Sequence, residues 1–206
     1  MSLFSIPLAA MALAAPSLPP ATAGKAPSDY PAWAVRTGQS AFVYYEMFVD
    51  PDGEILRCDI LTSAGSERLA KEICAMRRRI KLVPAVDSDG NPSFGKIREE
   101  TKLFLPGTPL GEEVAKLKAR AEFELAVESL PPENDGRLEV DLAMHIATDG
   151  LVTACTGKEG AQAAYAKAAC AALESQPFAL ETTADGAPVS YVREVSVEFV
   201  AEQSAA

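Results

Sequence analysis

Four cysteines, one histidine, two aspartate pairs and a run of arginines are the residues with chemistry to offer. Cys58, Cys74, Cys155 and Cys170 are even in number, and four cysteines allow three disulfide pairings. They could instead bind zinc, but the chain has no Cys-x-x-Cys pair and only one imidazole, so disulfides are the better reading. That imidazole, His145, is the one base available to a Ser-His-Asp or Cys-His site. No nucleophile motif surrounds it, and strand alternation points it to the outer, solvent side of its strand. Asp50 with Asp52, and Asp87 with Asp89, invite calcium. An EF-hand loop places its glycine at position 6. Gly53 and Gly90 stand fourth from the first Asp of each pair, which fits a turn without a metal. Arg77, Arg78, Arg79 and Lys81 suit a helix C-terminus, where cations meet the negative end of the dipole. The alternative is a docking patch for an acidic partner, including the chain's own acidic half. We assign no catalytic residue, no metal and no cofactor, and expect no enzyme.

The composition supports a folded, non-nucleic-acid protein. The chain has 206 residues, 48% hydrophobic and 23% charged, enough to bury a core and too apolar for disorder. No apolar run reaches the roughly 18 residues that span a bilayer. A net charge of -10 disfavours nucleic acid and anionic membrane surfaces. Residues 24–106 carry 12 basic and 12 acidic side chains, whereas residues 107–206 carry 7 and 17, so the second half holds all of the excess. Two units with different surfaces follow.

Residues 1–23 hold no charged side chain. Ile6–Ala15 is a short apolar run broken by Pro7, and Ala21-Thr22-Ala23 fits a small-x-small cleavage site before Gly24. This reads as a signal peptide lacking the usual Lys or Arg ahead of the run. Pro16, Pro19 and Pro20 argue against a buried helix. An oxidising compartment would then let the cysteines pair.

The elements that must position these residues occur twice. At an offset of 97, Asp52-Gly53 falls on Asp149-Gly150 and Cys58 on Cys155. Val43, Tyr45, Met47 and Val49 fall on Val140, Leu142, Met144 and Ile146, each run alternating with the period of a half-buried strand. Asp89-Gly90-Asn91-Pro92 matches Asp185-Gly186-Ala187-Pro188, and Ile97-Arg98-Glu99 matches Val192-Arg193-Glu194. Matches in this order indicate a duplication. Equivalent cysteines should then bond within each copy, Cys58 to Cys74 and Cys155 to Cys170.

Each copy has one grammar. In the first, strand Phe42–Val49, turn Asp50–Gly53 and strand Ile55–Leu61 lead through a loop at Ser63-Ala64-Gly65 to a helix. Ser66 is its N-cap, and Leu69, Ile73, Met76 and Ile80 form its apolar face. Strand Ile97–Leu105 follows the turn at Asp89-Gly90. The second copy reads Leu138–Ala147, Leu151–Cys155, helix Gln162–Glu174 and strand Ser190–Val200. Pro106–Gly111 reads as a linker. Glu112–Leu130 is assigned helix, although the alternation of Phe123, Leu125 and Val127 fits a strand equally. A hairpin followed by a helical return gives an α+β fold. Each unit is a three-stranded antiparallel sheet ordered 2-1-3, with the helix on one face and the third strand at an edge.

The first unit resembles the C-terminal domain of TonB proteins. The shared features are Tyr30-Pro31 opening a short helix, Val49-Asp50-Pro51-Asp52-Gly53, Ser63-Ala64-Gly65, Leu69, and Pro84-Ala85 before Asp89-Gly90. The resemblance runs over residues 28–106. Residues 112–202 look like a divergent copy. It implies a periplasmic or secreted protein-binding module whose partner, such as an outer-membrane receptor, adds a strand to the third strand. Here that edge is Lys96, Ile97, Arg98, Glu99, Glu100, Thr101, Lys102, Leu103, Phe104 and Leu105, open unless the second unit covers it. Proline at Thr101 should block capture while keeping the fold. The alternative is an energy transducer for outer-membrane transport with an uncleaved N-terminal anchor. No small-molecule substrate and no nucleic acid is expected.

Overall fold

The structure is a computed structural model that describes residues 13–20, 30–158 and 160–202. The remainder of the signal-peptide segment expected at residues 1–23 lies outside the described residues. A short helix α1, Ala32–Arg36, precedes the hairpin β1, Ala41–Val49, and β2, Ile55–Gly65. Helix α2 spans Glu67–Arg77, followed by the two-residue β3, Ala85–Val86, and the long β4, Pro92–Leu103. Helix α3, Pro109–Lys116, and β5, Phe123–Val127, lead into β6, Arg137–Ile146, and β7, Val152–Gly157. Helix α4, Ala163–Leu173, the short pair β8, Glu181–Thr182, and β9, Pro188–Val189, and finally β10, Tyr191–Ala201, complete the chain.

The fold is α+β, with the strand order β2-β1-β4 in the first half and β7-β6-β10 in the second. The two arrays are not separate sheets. They join edge to edge in the order β2-β1-β4-β10-β6-β7, with β4 and β10 running parallel over Phe94–Lys96 and Tyr191–Arg193. The third strand of each half, expected at an edge, is therefore central. This is also the point where the all-antiparallel expectation gives way to a mixed sheet.

Alternation along the strands makes two cores. Val43, Tyr45, Met47 and Val49 of β1 pack with Leu69, Ile73 and Cys74 of α2 on one face. Phe48, between Met47 and Val49, points to the other face and joins the second core. There Leu142, Met144 and Ile146 of β6 and Tyr191, Val195, Val197 and Phe199 of β10 pack with Ala166, Ala169 and Leu173 of α4. The helices thus lie on opposite faces of one sheet. A two-fold rotation about an axis along the strands relates such halves, because it keeps β4 and β10 parallel while exchanging the faces.

Local chemistry explains the element boundaries. The Ser66 hydroxyl accepts from the Leu69 amide at 3.4 Å and starts α2. Ser63, Ala64 and Gly65, expected as loop, complete β2 by pairing with Val43, Phe42 and Ala41. The linker Pro106–Gly111 also differs from expectation. Thr108 caps α3 by accepting from the Gly111 amide at 3.1 Å, and Pro109 takes the first helical turn, where its missing N–H costs nothing. Glu112–Leu130 divides in two. The helix ends at Lys116, and the alternating Phe123, Leu125 and Val127 form β5, paired in parallel with Val197–Ala201 of β10. The ladder on β10 decides that ambiguity, which local propensity leaves open.

Both hairpin turns close on a glycine approached by a backbone. Gly53 has φ +88°, its carbonyl accepts from the Leu82 amide at 2.8 Å, and a Cβ there would sit 2.2 Å from the Leu82 oxygen. Gly150 repeats this with φ +85°, the Phe178 amide at 2.9 Å and a Cβ contact of 2.6 Å. Disulfides Cys58–Cys74 and Cys155–Cys170, with Cα–Cα distances of 5.9 and 5.7 Å, tie the second strand of each half to its helix.

Candidate functional site

The strand expected to capture a partner, Lys96–Leu105, meets β10 on its outer side only at Lys96. β4 pairs with β1 along Gly95–Leu103 on one side. On the other, Pro92 and Ser93 meet β3, and Phe94, Gly95 and Lys96 meet β10. No described strand pairs with Ile97–Leu103 on that outer side. β10 diverges there to pair with β5, leaving a splay in the sheet. The chain between α3 and β5 crosses the splay, where the Ala119 amide donates to the Glu100 carboxylate at 2.8 Å. A cavity of about 280 Å³ remains, lined by Tyr44, Arg98, Glu100, Lys118, Glu139 and Glu194 among others.

The ten residues of the expected edge are sorted by alternation. Ile97, Thr101 and Leu103 point under α2 and are buried, while Glu100 and Phe104 are exposed. Glu99 is part-buried, and burial pushes its carboxyl above the usual range against the pull of Arg77. Lys102 reaches the Glu100 carboxylate at 3.4 Å, and the Leu105 amide donates to the Ser40 hydroxyl at 3.1 Å. Thr101 is a core residue. Its hydroxyl takes a bond from Arg77 Nη2 at 3.0 Å and lies 3.0 Å from the Tyr45 hydroxyl, which accepts from Arg77 Nε at 2.6 Å. Proline at Thr101 would disturb this buried network, so it does not test the edge with the fold intact. Arg77 likewise leaves the basic cluster expected at the surface. It is 8% exposed and fills the core, while Lys81 pairs with Glu54 at 3.6 Å. No ion pair among the described residues joins Arg77, Arg78, Arg79 or Lys81 to the second half.

Lys96 and Arg98 belong to a charged seam that the sequence reading missed. Lys96 Nζ lies 2.6 Å from Glu46 and 2.8 Å from Glu181, and all three side chains are buried. Arg98 bonds Glu46 at 2.9 Å and Glu122 at 2.9 Å. Arg193 holds Glu122 from the other side at 2.6 Å, and Arg57 reaches Glu181 at 3.0 Å. The first half supplies Arg57, Lys96 and Arg98, and the second half supplies Glu122 and Glu181. Burial opposes ionisation of Glu46, but bonds from Lys96 and Arg98 outweigh it and hold its carboxyl below the usual range. Burial pushes the neighbouring Tyr191 phenol up to about 12. Two signals pointed here: the charge asymmetry of the halves, and the repeat match of Arg98 with Arg193, which grip one carboxylate.

The remaining polar residues serve turns and strands. Asp50 Oδ1 accepts the amides of Asp52 and Glu54, each at 2.9 Å, and Asp87 Oδ1 those of Asp89 and Asn91, each at 2.9 Å. Backbone hydrogen bonds of this kind hold the Asp87 carboxyl below its usual value. Among the described residues no group of three or more His, Cys, Asp or Glu side chains could hold a metal ion. His145 Nδ1 is 3.2 Å from the Thr153 hydroxyl, and its covered Nε2 has no hydrogen-bond partner. No helix among the described residues is long and apolar enough to cross a membrane.

No curated protein and no solved structure matches the chain. Residues 26–100 match the family described as Gram-negative bacterial TonB protein C-terminal. The match takes in α1, the β1–β2 hairpin with its Asp50–Gly53 turn, α2 and β4 up to Glu100, the same features on which the resemblance in the sequence rests. Over residues 26–100, the first half of this chain is similar to the TonB C-terminal domain family.

Proposed function

We propose that the chain is a non-catalytic periplasmic module that binds a protein or peptide by strand addition. Its partner's extended segment lies against the outer side of β4 between Ile97 and Leu103. One observation carries this reading: that stretch lacks a ladder partner among the described strands, while the adjoining Phe94–Lys96 stretch is already paired with β10. Unpaired backbone groups at a sheet edge are a template for another strand, and side chains on alternate positions set the specificity. Glu100 and Phe104, both exposed, would flank the incoming segment. The crossing chain is bonded to the Glu100 side chain at Ala119 and anchored at Glu122 by Ser196, Arg98 and Arg193, so a partner would displace the Ala119 bond while Glu122 stays in the seam.

Photocrosslinking in periplasm tests the reading. A photoreactive residue in place of Glu100 or Phe104 should capture a partner, and the same residue at Leu61 on β2 should not. Capture only from Leu61 would place the partner on the outer edge of β2, where Leu56 and Leu61 are also exposed, and would overturn the assignment to β4. An outer-membrane receptor among the captured proteins, with the N-terminal segment retained, would favour an energy transducer.

A further inference from the structure

The chain's own N-terminal segment packs against the first half. Residues 13–20 cross the outer side of β3 as an extended strand. The Ala14 and Val86 amides and carbonyls exchange bonds of 3.0 and 2.8 Å, and Ser17 and Val83 exchange bonds of 3.1 and 2.9 Å. Between these bridges lie Pro16 on one strand and Pro84 on the other. Neither has an N–H to give, and neither is asked for one.

Pro16 is buried, and Leu18 packs on the first core. The proline ring sits against Gly95, where a Cβ would fall 2.4 Å from Pro16 Cγ and 2.7 Å from Ala85 Cβ. Glycine in the interior of a strand weakens it, and often marks the close approach of another backbone or ligand. Gly95 fits that pattern: it is flanked by pairing to β1 and β10, and the space a side chain would need is the space the proline takes. The occupant carries no charge anywhere in residues 13–20.

We propose that Val83–Val86 and Gly95 form a docking slot for an extended, uncharged peptide with a proline between small residues. Leu13–Leu18 hold the slot in cis for as long as residues 1–23 are retained, and a second such peptide enters once that segment is displaced or is cut away at the site before Gly24. The site is separate from the outer side of Ile97–Leu103, so the two readings can fail independently.

The test uses the full chain and a labelled synthetic peptide, Leu-Ala-Ala-Pro-Ser-Leu-Pro-Pro, corresponding to residues 13–20. Pro16→Asp forces a carboxylate toward the buried slot and should release the segment. Ser17→Pro removes one bridge donor and should act in the same direction if Pro16→Asp disturbs the fold. Hydrogen exchange at Val83 and Val86 should then quicken at least tenfold, with the β1 amides unchanged. The peptide should bind the released chain at least tenfold more tightly than the wild type, and should restore protection at Val83 and Val86. The proposal is overturned if those two amides exchange alike in wild type and variants. It is equally overturned if the peptide binds all chains alike, or binds none.

Discussion

The two halves share a topology but hold it by different means. In the first half, the α2 side of the sheet contains a polar knot within the core, Tyr45–Arg77–Thr101, and α2 begins on a Ser66 cap. In the second half the corresponding space is apolar and aromatic. Tyr165 meets Phe199 edge to face at 5.0 Å, Phe123 meets Phe178 at 6.3 Å, and the Ala-rich α4 starts at Gln162 without a side-chain cap. The turns differ in the same sense. Asp50 and Asp87 cap their own turns, whereas Ala147 and Thr183 stand at the equivalent positions of the second half. Ala147 has nothing to offer, and the Thr183 hydroxyl reaches only the Ala187 amide, the Ala187 carbonyl and Asp185. The repeat therefore keeps what the backbone requires, the glycines and the disulfides. Each turn of the second half keeps one amide-to-side-chain bond, from the Leu151 amide to Asp149 and from the Ala187 amide to Thr183. Each first-half turn makes two, and each such bond contributes about 1 kcal/mol.

Breaking the seam between the halves should have the largest effect. Lys96→Met removes the cation between Glu46 and Glu181, leaving buried carboxylates that Arg98 and Arg57 compensate only from one side. A loss of about 3–5 kcal/mol is expected. Calorimetry should show one transition in the wild type and two in the variant, as the halves lose their coupling. A single, unshifted transition would mean that the β4–β10 ladder alone joins them.

The disulfides sharpen the comparison. Their loops span 16 and 15 residues, so chain entropy predicts a nearly equal contribution of about 3 kcal/mol each. Cys58 and Cys74 are buried, at 7% and 8% exposure, while Cys155 and Cys170 are only part-buried. Replacing Cys58 and Cys74 by Ala should therefore cost more in urea denaturation than replacing Cys155 and Cys170. Equal losses would show that loop closure outweighs the packing of the sulfurs.

Next come the turn glycines. Gly53→Ala combines a left-handed φ with a 2.2 Å clash against a backbone oxygen, and should cost about 3 kcal/mol. Gly150→Ala meets a looser 2.6 Å contact and should cost less. Gly186→Ala has the φ of +86° but open space, so about 1 kcal/mol is expected. Thermal midpoints of the three variants should follow that order. The same series should leave calcium without effect on any midpoint, since the Asp50 and Asp87 carboxylates are engaged by their own turns.

The smallest effect is in the pH dependence. The Glu46 carboxyl is held below its ordinary value of 4.5 in the folded chain. Its contribution is full above that value and is lost as the pH falls through the lowered folded value. Glu46→Gln should flatten this acid limb of stability, measured as urea midpoints between about pH 3 and pH 7. Glu99 runs the other way. Its raised folded value favours the protonated form, so its contribution declines as pH rises above the ordinary carboxylate range. An unchanged acid limb in Glu46→Gln would remove Glu46 from the seam's energetics.

Much of this molecule is written in local pattern. The alternation of Val43, Tyr45, Met47 and Val49, the 4-3-4 spacing of Leu69, Ile73, Met76 and Ile80, and the Asp-Gly turns specify strands, a helix and hairpins through backbone sterics and burial of one face. The repeat placed equivalent cysteines, and both observed disulfides lie within a copy. Glu112–Leu130 could not be divided from sequence, because Val114 and Leu117 satisfy a helical period just before Phe123, Leu125 and Val127 satisfy a strand period.

The tertiary structure decided what lies beside what. Nothing in Lys96, Arg98 or Arg193 alone says that they meet Glu46, Glu122 and Glu181, because those contacts depend on the register of two strands whose paired residues, such as Lys96 and Arg193, are 97 positions apart. Arg77 reads as surface by type and spacing, and the hydroxyls of Tyr45 and Thr101, with the Glu99 carboxyl nearby, make its burial tolerable. The fate of the β4 edge was undetermined for the same reason. Unpaired backbone groups attract any strand of suitable length, and side-chain sequence sets little of that affinity. Here β10 takes Phe94–Lys96, β5 turns aside onto β10, and the outer side of Ile97–Leu103 is left without a ladder.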